Sequence, residues 1–152
     1  MVNGLAYRIL GRPDEVDDLV QDSFVQALSS LDRLQNPAAF SSWMGSIVVR
    51  TAHKRLRRRS LRTRLGLERD KPIDVEILVS RTAPPDVAIE LRAVYGILNR
   101  LSAEERVALV LRRVEGMKLA EVAEAMNLSL ATVKRRLAKA EKAVAAALEA
   151  SS

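Results

Sequence analysis

The stretch LAEVAEAMNLSLATVKRRLAKAEK, which runs from Leu119 to Lys142, decides the fold of the chain around it. Its first part has apolar residues at the 3.6-residue period of a helix, at Leu119, Val122, Ala123 and Met126. The period stops at Asn127-Leu128-Ser129, where Asn tolerates a left-handed backbone and Ser is a favoured N-cap. The pattern therefore predicts a helix, a tight turn and a second helix.

The second helix of this unit separates an apolar face from a small and cationic one. Its apolar residues are Leu130, Val133, Leu137, Ala140 and Val144. After the N-cap Ser129, the outward positions include Ala131, Thr132, Lys134, Arg135 and Lys139. In a helix-turn-helix the N-terminal residues of the second helix reach the major groove, where small side chains allow close approach and cations reach phosphates or guanine edges. Charged outer faces are also the default for surface helices, so a solvated basic face on a core helix stays an alternative.

The composition favours an all-α protein of one large or two small domains. The 152 residues are 48% apolar but 3% aromatic, and strand-like alternation is hard to find. The formal net charge of +6 is unevenly distributed, because acids cluster between Asp14 and Asp22 whereas no acid occurs between Arg33 and Leu67. The basic surface is therefore stronger than the net charge indicates.

Several functional classes are excluded or disfavoured by what the sequence lacks. With no cysteine and one histidine it offers neither a disulfide framework nor a zinc centre, so we expect no metal and no cofactor. It also has no apolar run near the roughly 20 residues of a membrane helix and no signal core, so we expect a cytoplasmic protein without membrane insertion.

The N-terminal part is predicted to hold a short and a long helix. Val2 to Leu10 resembles the end of a helix, and Gly11 and Pro13 then stop it and start the next. The long helix has the apolar stripe Val16, Leu19, Val20, Phe24, Ala27 and Leu28 and the polar face Asp17, Asp18, Gln21, Asp22 and Gln26. This face is either solvated or a docking site for a basic partner.

Asn36-Pro37 is a cap followed by a first-turn proline, and it opens a third helix. Phe40, Trp43 and Ile47 recur at one-turn spacing, which more often marks core packing than a base-stacking platform. The helix continues into a basic run from Arg50 to Arg64, with Lys54, Arg55, Arg57, Arg58, Arg59 and Arg62 between them. These cations would repel one another unless anions lie alongside, and nucleic acid is the obvious anion. A disordered basic tail or a patch for acidic lipid is the alternative.

Residues 66–85 are predicted to be a linker, because periodicity fades there and Pro72 and Pro84-Pro85 interrupt it. The sequence thus divides into domains at 1–65 and 86–150. Ser102 and Glu105 form a capping box that opens a helix in the second domain, and Gly116 ends that helix.

Three blocks of the sequence together resemble a known family, the bacterial RNA polymerase sigma factors of the extracytoplasmic-function class. The blocks DDLVQDSFVQAL from Asp17 and FSSWMGSIVVRTAHKRLRRR from Phe40 are similar to sigma region 2. The block from Leu98 to Val144 resembles region 4, including its start at Leu101, Glu115-Gly116 and the TVKRRL core from Thr132. The resemblance covers nearly the whole chain.

The resemblance implies a protein that binds core RNA polymerase and directs transcription initiation at promoter DNA. It assigns polymerase binding to Asp18, Gln21, Asp22 and Phe24. It assigns the minus 10 element and the melted strand to Trp43, Arg50, Lys54, Arg57 and Arg58. It assigns the minus 35 element to the second helix of the helix-turn-helix, through Ser129, Ala131, Thr132, Lys134, Arg135 and Lys139. An anti-sigma factor is a further expected partner, and no bond is made or broken by such a protein.

The chain departs from the family pattern at three places. It begins partway through the first helix of region 2, so Val16, Leu19 and Phe24 are expected to lack part of their packing. Arg50 stands where members commonly have Asn, and Lys54 where Asp is common.

Two other functions fit parts of the sequence. A sigma-like decoy that binds an anti-sigma protein needs the fold without the cations, and both the basic run and Arg136 argue against it. A free-standing helix-turn-helix repressor needs a dimerisation element, for which Ala143 to Leu148 offers a weak candidate.

Overall fold

The structure, a computed structural model, describes residues 1–69 and 84–151, and every regular element in these residues is a helix. The elements in chain order are α1 (Val2–Leu10), α2 (Pro13–Ser29), α3 (Phe40–Arg64), α4 (Pro85–Leu98), α5 (Ala103–Leu109), α6 (Leu119–Met126) and α7 (Leu130–Ser151). Two 3-10 turns, Leu31–Arg33 and Pro37–Ala39, join α2 to α3, and a π-helical turn, Val110–Val114, continues α5. The predicted all-α class is confirmed.

Several helices begin or end at the residues that the sequence marks, but Asn36 caps the 3-10 turn Pro37–Ala39, and α3 begins after it, at Phe40. Gly11 has φ 67° at the end of α1, and Pro13 is the first residue of α2. Asn127 ends α6 with φ 53°, the left-handed conformation predicted for it. Ser102 and Glu105 each accept a hydrogen bond from the other's backbone N–H, which is the predicted capping box.

Helix α3 lies at the centre of the fold. It packs against α1 and α2 on one side and against α5 and α6 on the other. Its buried residues are Met44, Ile47, Val48, Val49, Thr51, Ala52 and Leu56. These side chains point to more than one side of the helix. Helix α3 therefore packs against both the N-terminal half, residues 1–69, and the C-terminal half, residues 84–151.

The expectation that α2 lacks packing is wrong for two of its three residues. Val16 and Leu19 are 5% and 0% exposed, since α1 packs directly on α2 and buries Leu5, Ile9 and other residues there. Phe24 is 46% exposed.

The two halves are joined by a set of polar contacts that we call the clasp. The guanidinium of Arg106, on α5, donates from Nε to the carbonyl oxygen of Ile9 and from Nη2 to that of Leu10, both at 2.9 Å. These carbonyls belong to the last turn of α1, where no following helical turn supplies N–H groups to bind them. Arg8 of the same helix forms an ion pair with Glu115. The clasp therefore fixes the C-terminal half on the end of α1.

Tyr95 of α4 completes this junction by packing on Gly11. A Cβ atom at Gly11 would lie 2.5 Å from a carbon of the Tyr95 ring, a distance that real Cβ atoms do not reach. Gly11 therefore serves both the left-handed turn and the close approach of Tyr95.

The division into domains at 1–65 and 86–150 stays a prediction, and most of the predicted linker, with its apolar residues near Ile77, lies outside the described residues. No helix within the described ranges is long and apolar enough to cross a membrane.

Candidate nucleic-acid and polymerase interfaces

The turn between α6 and α7 holds the start of α7 by an N-cap at Ser129. The Ser129 hydroxyl accepts a hydrogen bond from the backbone N–H of Thr132 at 3.1 Å and donates one to the Thr132 hydroxyl at 2.8 Å. Ser129 therefore satisfies one N–H of the first turn and orients the half-buried Thr132.

The face that α7 presents outward is the one its helical period predicts, except that Leu130, expected on the apolar face, is 43% exposed. Val133 and Leu137 are 0% and 4% exposed, and they anchor α7 against α5 and α6. Ala131, Lys134 and Arg135 lie on the exposed side. The N-terminal part of α7 thus offers a small side chain followed one turn later by two cations, an arrangement that suits a major groove.

Two further cations of α7 are engaged within the C-terminal half. Arg136 forms an ion pair with Glu104 at 2.7 Å, and Lys139 forms one with Glu105 at 3.1 Å. Burial raises the pKa of Glu105, but the Ser102 N–H and Lys139 outweigh it and hold the pKa below its usual value. The Lys139 side chain is still 70% exposed, so its place in a DNA interface stays a prediction.

The basic run of α3 is divided between two sides of the helix. Arg55 and Arg59 turn toward α2, where they pair with Asp22 at 2.9 Å and with Glu15 at 3.1 Å. For these two cations the anions alongside are therefore acids of the protein itself, and not nucleic acid. The acids come from a different helix, which the local sequence of α3 does not reveal.

Arg62 pairs with Glu68 at 3.9 Å, and the other five cations of the run form a stripe on the opposite side of α3 from Arg55 and Arg59. The stripe comprises Arg50, Lys54, Arg57, Arg58 and Arg64. None of these five has an ion-pair partner within residues 1–69 and 84–151. They are the cations that remain available to an external anion, and four of them are among the residues assigned to the melted strand.

Trp43 and Phe40 stand at the N-terminal end of α3, with ring centroids 5.9 Å apart. Ile47 is buried as expected, but Trp43 is half-buried and Phe40 is 42% exposed. The core-packing interpretation is therefore wrong for Phe40, because the chain arrives from the 3-10 turn at Pro37–Ala39 and leaves its ring uncovered. The pair presents aromatic surface of the kind on which bases stack.

A cleft of about 770 Å³ adjoins Trp43 and Arg50. The C-terminal half contributes Glu115, Glu121 and Glu124 to its lining. A nucleic-acid strand beside Trp43 would meet these carboxylates while the two halves are in contact.

Helix α2 buries Ser23 where a continuous apolar stripe was expected. Ser23 is 0% exposed, and its hydroxyl donates to the carbonyl oxygen of Leu19 at 2.7 Å. The inward positions are Val16, Leu19, Ser23 and Ala27, so the expected burial of Leu28 and Phe24 is wrong.

The outward face of α2 is therefore both acidic and apolar. Asp18 and Gln21 are exposed, and Asp22 remains exposed beside its partner Arg55. Phe24 lies among exposed apolar neighbours that sequence reasoning missed, namely Val25, Leu28 and Leu31. A contiguous apolar patch rimmed by polar residues is typical of a protein interface. Ser23 was the residue in the sequence that could have indicated this exposed apolar face, because it interrupts the apolar stripe.

His53 of α3 lies between the halves. Burial lowers the pKa of His53, the carboxylate of Glu104 opposes that effect, and the cation of Arg57 adds to it. Its Nε2 is buried without a hydrogen-bond partner among the described residues. The neutral imidazole is therefore the favoured form in the folded protein.

An exposed cationic helix-turn-helix, a second cationic helix and a patch that is both acidic and apolar are together typical of DNA-binding transcription proteins that also bind a protein partner. Residues 1–62 match the family Sigma-70 region 2, and residues 91–144 match Sigma-70, region 4. The chain belongs to the extracytoplasmic-function class of the sigma-70 family.

Relatives agree with this assignment, and a solved structure shares the fold. The chain is 35% identical to the ECF RNA polymerase sigma factor SigM of Mycobacterium tuberculosis, over 84% of this chain and 61% of that protein. It is 31% identical to the RNA polymerase sigma factor NccH of Alcaligenes xylosoxydans xylosoxydans, over 96% and 80% of the two chains. The sigma factor RpoE of Bartonella quintana, solved in complex with the anti-sigma factor NepR, shares the fold with a TM-score of 0.72 at 21% identity. That alignment covers 97% of this chain and 89% of RpoE.

Proposed function

We propose that the protein binds core RNA polymerase and directs it to promoters, with α7 reading the minus 35 element. The observation that carries the proposal is the exposed edge of α7, where Ala131, Lys134 and Arg135 face outward while Val133 and Leu137 hold the helix in place. Arg135 can bind a guanine edge with two donors, and Lys134 can bind a phosphate. Ser129 and Thr132 fix the register of these cations by capping the helix.

The minus 10 element and the melted strand are assigned to α3. Lys54, Arg57 and Arg58 lie on the stripe, whose cations form no ion pair among the described residues, and Trp43 and Phe40 offer the exposed aromatic surface at the start of the same helix. A helix that contacts phosphates along one side and bases at its N-terminal end would bind an open strand more tightly than a duplex, because the bases of a duplex are stacked and paired. Strand opening is thus favoured by binding, and the protein itself makes and breaks no bond.

The outward face of α2 is assigned to core polymerase. Asp18, Gln21 and Asp22 supply the charge and hydrogen bonds that a basic partner recognises. Phe24 and its exposed neighbours supply apolar area, which charge alone would not. The same combination explains why these large apolar residues stay on the surface.

Engagement of both promoter elements requires the two halves to separate. A compact chain of this length has a radius of gyration of about 15 Å. The two elements lie about 25 base pairs apart by their names, which is about 85 Å of duplex at about 3.4 Å per base pair. The carboxylates of Glu121 and Glu124 beside Trp43 also disfavour a strand there while the halves are in contact. The arrangement held by the clasp is therefore a resting one.

An anti-sigma protein is a further partner, as for RpoE of Bartonella quintana, and the site of action would be the bacterial cytoplasm, on nucleoid DNA. The complex of RpoE of Bartonella quintana with the anti-sigma factor NepR supports a partner of this kind.

Run-off transcription with core polymerase on a library of promoter fragments tests the proposed function. We expect transcripts that start a fixed distance from a shared pair of sequence elements. A chain that binds an anti-sigma protein but gives no transcript with any fragment would instead support the decoy function.

The salt dependence of binding to a single-stranded promoter fragment tests α3 separately. Replacing Lys54, Arg57 and Arg58 by Gln removes three candidate phosphate contacts, so the slope of log affinity against log salt should fall by about 0.7 for each, or about 2 in all. Permanganate footprinting should then show complexes that form but open poorly. An unchanged slope with normal opening would leave the stripe as a solvated surface.

A further inference from the structure

A groove of about 600 Å³ separates the stripe of α3 from the C-terminal half. We call it the cationic groove. One wall is formed by Arg50, Lys54, Arg57, Arg58 and Arg64, and the other includes Ser102, Glu104 and Arg136. Among the described residues that line it, Glu104 is the one carboxylate, and Arg136 already pairs with it at 2.7 Å. The groove therefore has a large excess of positive charge.

The cations of the stripe are spaced so that they repel one another along one side of α3. Arg50 and Lys54, and Lys54 and Arg58, are four residues apart, and each such like-charge pair costs about 0.2–0.5 kcal/mol on a helix. Arg50 and Arg64 are separated by about 21 Å along the helix axis, at about 1.5 Å per residue. A single small anion such as sulfate can reach only one or two of these cations, whereas a short chain of linked phosphates can reach several neighbouring ones.

We propose that the cationic groove is a binding site for a small polyphosphate, either free or attached to a nucleoside. Its volume lies within the range of about 300–1,000 Å³ of small-molecule sites. An arginine side chain can bind phosphate oxygens with two donors at once. The stripe has two arginines, Arg57 and Arg58, near its centre, together with Lys54. The hydroxyls of Ser60 and Ser102, on opposite walls, supply neutral donors to the same oxygens. Leu61 and Ala103 add apolar surface against which a nucleoside can lie.

A ligand in this groove would hold the resting arrangement, because its two walls come from the two halves. It would contact α3 on one side and Arg136 and Ser102 on the other, and it would occupy the cations that the proposed function assigns to the melted strand. The competition with DNA rests on the proposed function, whereas binding of the polyphosphate does not. The protein would then be withdrawn from promoters when the polyphosphate is abundant.

The test is calorimetric titration of the full chain with inorganic tripolyphosphate at constant ionic strength, with sulfate as the competing anion. We expect saturable binding and a melting temperature that rises with tripolyphosphate, because a ligand that binds the folded form stabilises it. Arg57→Gln with Arg58→Gln should weaken binding by about tenfold or more, since each charge-assisted hydrogen bond contributes at least about that factor. The matched control is Arg100→Gln with Lys142→Gln, which removes the same charge from exposed positions outside the groove and should leave affinity within twofold.

Arg136→Gln, made together with Glu104→Gln to avoid an unpaired carboxylate, tests the second wall. We expect weaker tripolyphosphate binding and a smaller rise in melting temperature, while circular dichroism shows the same helix content as the wild type. Unchanged affinity in this variant would overturn the bridging of the two halves. Equal losses in the groove variant and the control would mean general attraction to charge and would overturn the site.

Parallel titrations with ATP and with a short single-stranded oligonucleotide distinguish the source of the phosphates. Tighter binding of ATP than of tripolyphosphate would identify a nucleoside polyphosphate, and equal binding would identify the free form. Binding of the oligonucleotide without any binding of either small ligand would overturn the proposal. That result would leave the proposed promoter function intact, and a failed run-off assay would not affect tripolyphosphate binding.

Discussion

Arg106 donates a hydrogen bond from Nε to the backbone carbonyl oxygen of Ile9 at 2.9 Å, across 97 positions of the chain. The Arg106 residue is 2% exposed, and burial lowers the pKa of its guanidinium to about 10. The group therefore stays protonated at neutral pH and keeps its donors. It also donates to the carbonyl oxygen of Leu10 and to the side-chain oxygen of Asn99, the latter at 2.7 Å. A buried cation thus finds its partners on both halves of the molecule.

Arg106→Met should destabilise the protein. Methionine retains apolar volume at this position, but it leaves the carbonyls of Ile9 and Leu10 without donors. Each unsatisfied buried carbonyl costs about 1–3 kcal/mol. Urea unfolding followed by circular dichroism measures the loss, with the exposed Arg100→Met as control. Equal unfolding midpoints for the two variants would contradict the importance of the clasp.

Gly11→Ala should destabilise the same junction for two reasons. A left-handed backbone costs a non-glycine residue about 1–2 kcal/mol, and the added methyl group would overlap the Tyr95 ring at a cost of about 1–3 kcal/mol. The second cost should disappear when Tyr95→Ala is made in the same chain. Thermal unfolding of the single and double variants therefore separates backbone strain from steric overlap; purely additive effects would show that Tyr95 does not press on Gly11.

Arg135→Ala and Leu137→Ala should differ in kind although two positions separate them. Loss of Arg135 should weaken binding to minus 35 DNA by about 1–3 kcal/mol and relax preference at the bases it reads, because its side chain is exposed on α7. Loss of the buried Leu137 should lower stability by about 2–5 kcal/mol. Gel shifts and thermal melts measure the two effects. Similar thermal destabilisation by both would mean that the outward face of α7 is assigned to the wrong side.

Asp18→Arg together with Gln21→Ala should weaken binding to core polymerase without affecting folding, because both residues are exposed on α2. A pull-down with core polymerase measures the binding, and circular dichroism measures the fold. The matched control, Asp86→Arg, reverses a charge on the exposed first turn of α4 instead. If core polymerase retains the α2 variant as well as it retains the wild type, the polymerase does not bind this face.

Acidification should destabilise the protein through His53, its one histidine. Burial holds the folded pKa of His53 below its unfolded value of about 6.5, so the unfolded chain binds the proton more readily. The contribution of the neutral imidazole is complete above about pH 6.5 and is lost as the pH falls through the lowered folded pKa. Urea midpoints between pH 7 and pH 5 should fall less steeply for His53→Gln. If the urea midpoints of variant and wild type fall equally with pH, groups other than His53 cause the pH dependence.

The sequence by itself determined the helices, their ends and the helix-turn-helix, because these depend on interactions within a few residues. Asn127 adopts a left-handed backbone, Ser102 and Glu105 cap α5, and Pro13 begins α2 as local patterns predict. The outward positions of α7 follow in the same way from the 3.6-residue period. The family motifs rest on the same local patterns.

The tertiary structure decided which charges are paired and which faces meet. Arg55 and Arg59 pair with Asp22 and Glu15 on another helix, and Arg106 binds Ile9 in the other half. No local rule distinguishes them from Arg57, which has no ion pair in the part of the chain that the structure describes. The exposure of Phe24 likewise depends on how α1 and α3 cover α2, and burial of Ser23 shows which way that helix is turned. These outcomes are set by contacts between residues far apart in the chain, and the packing of whole helices determines them.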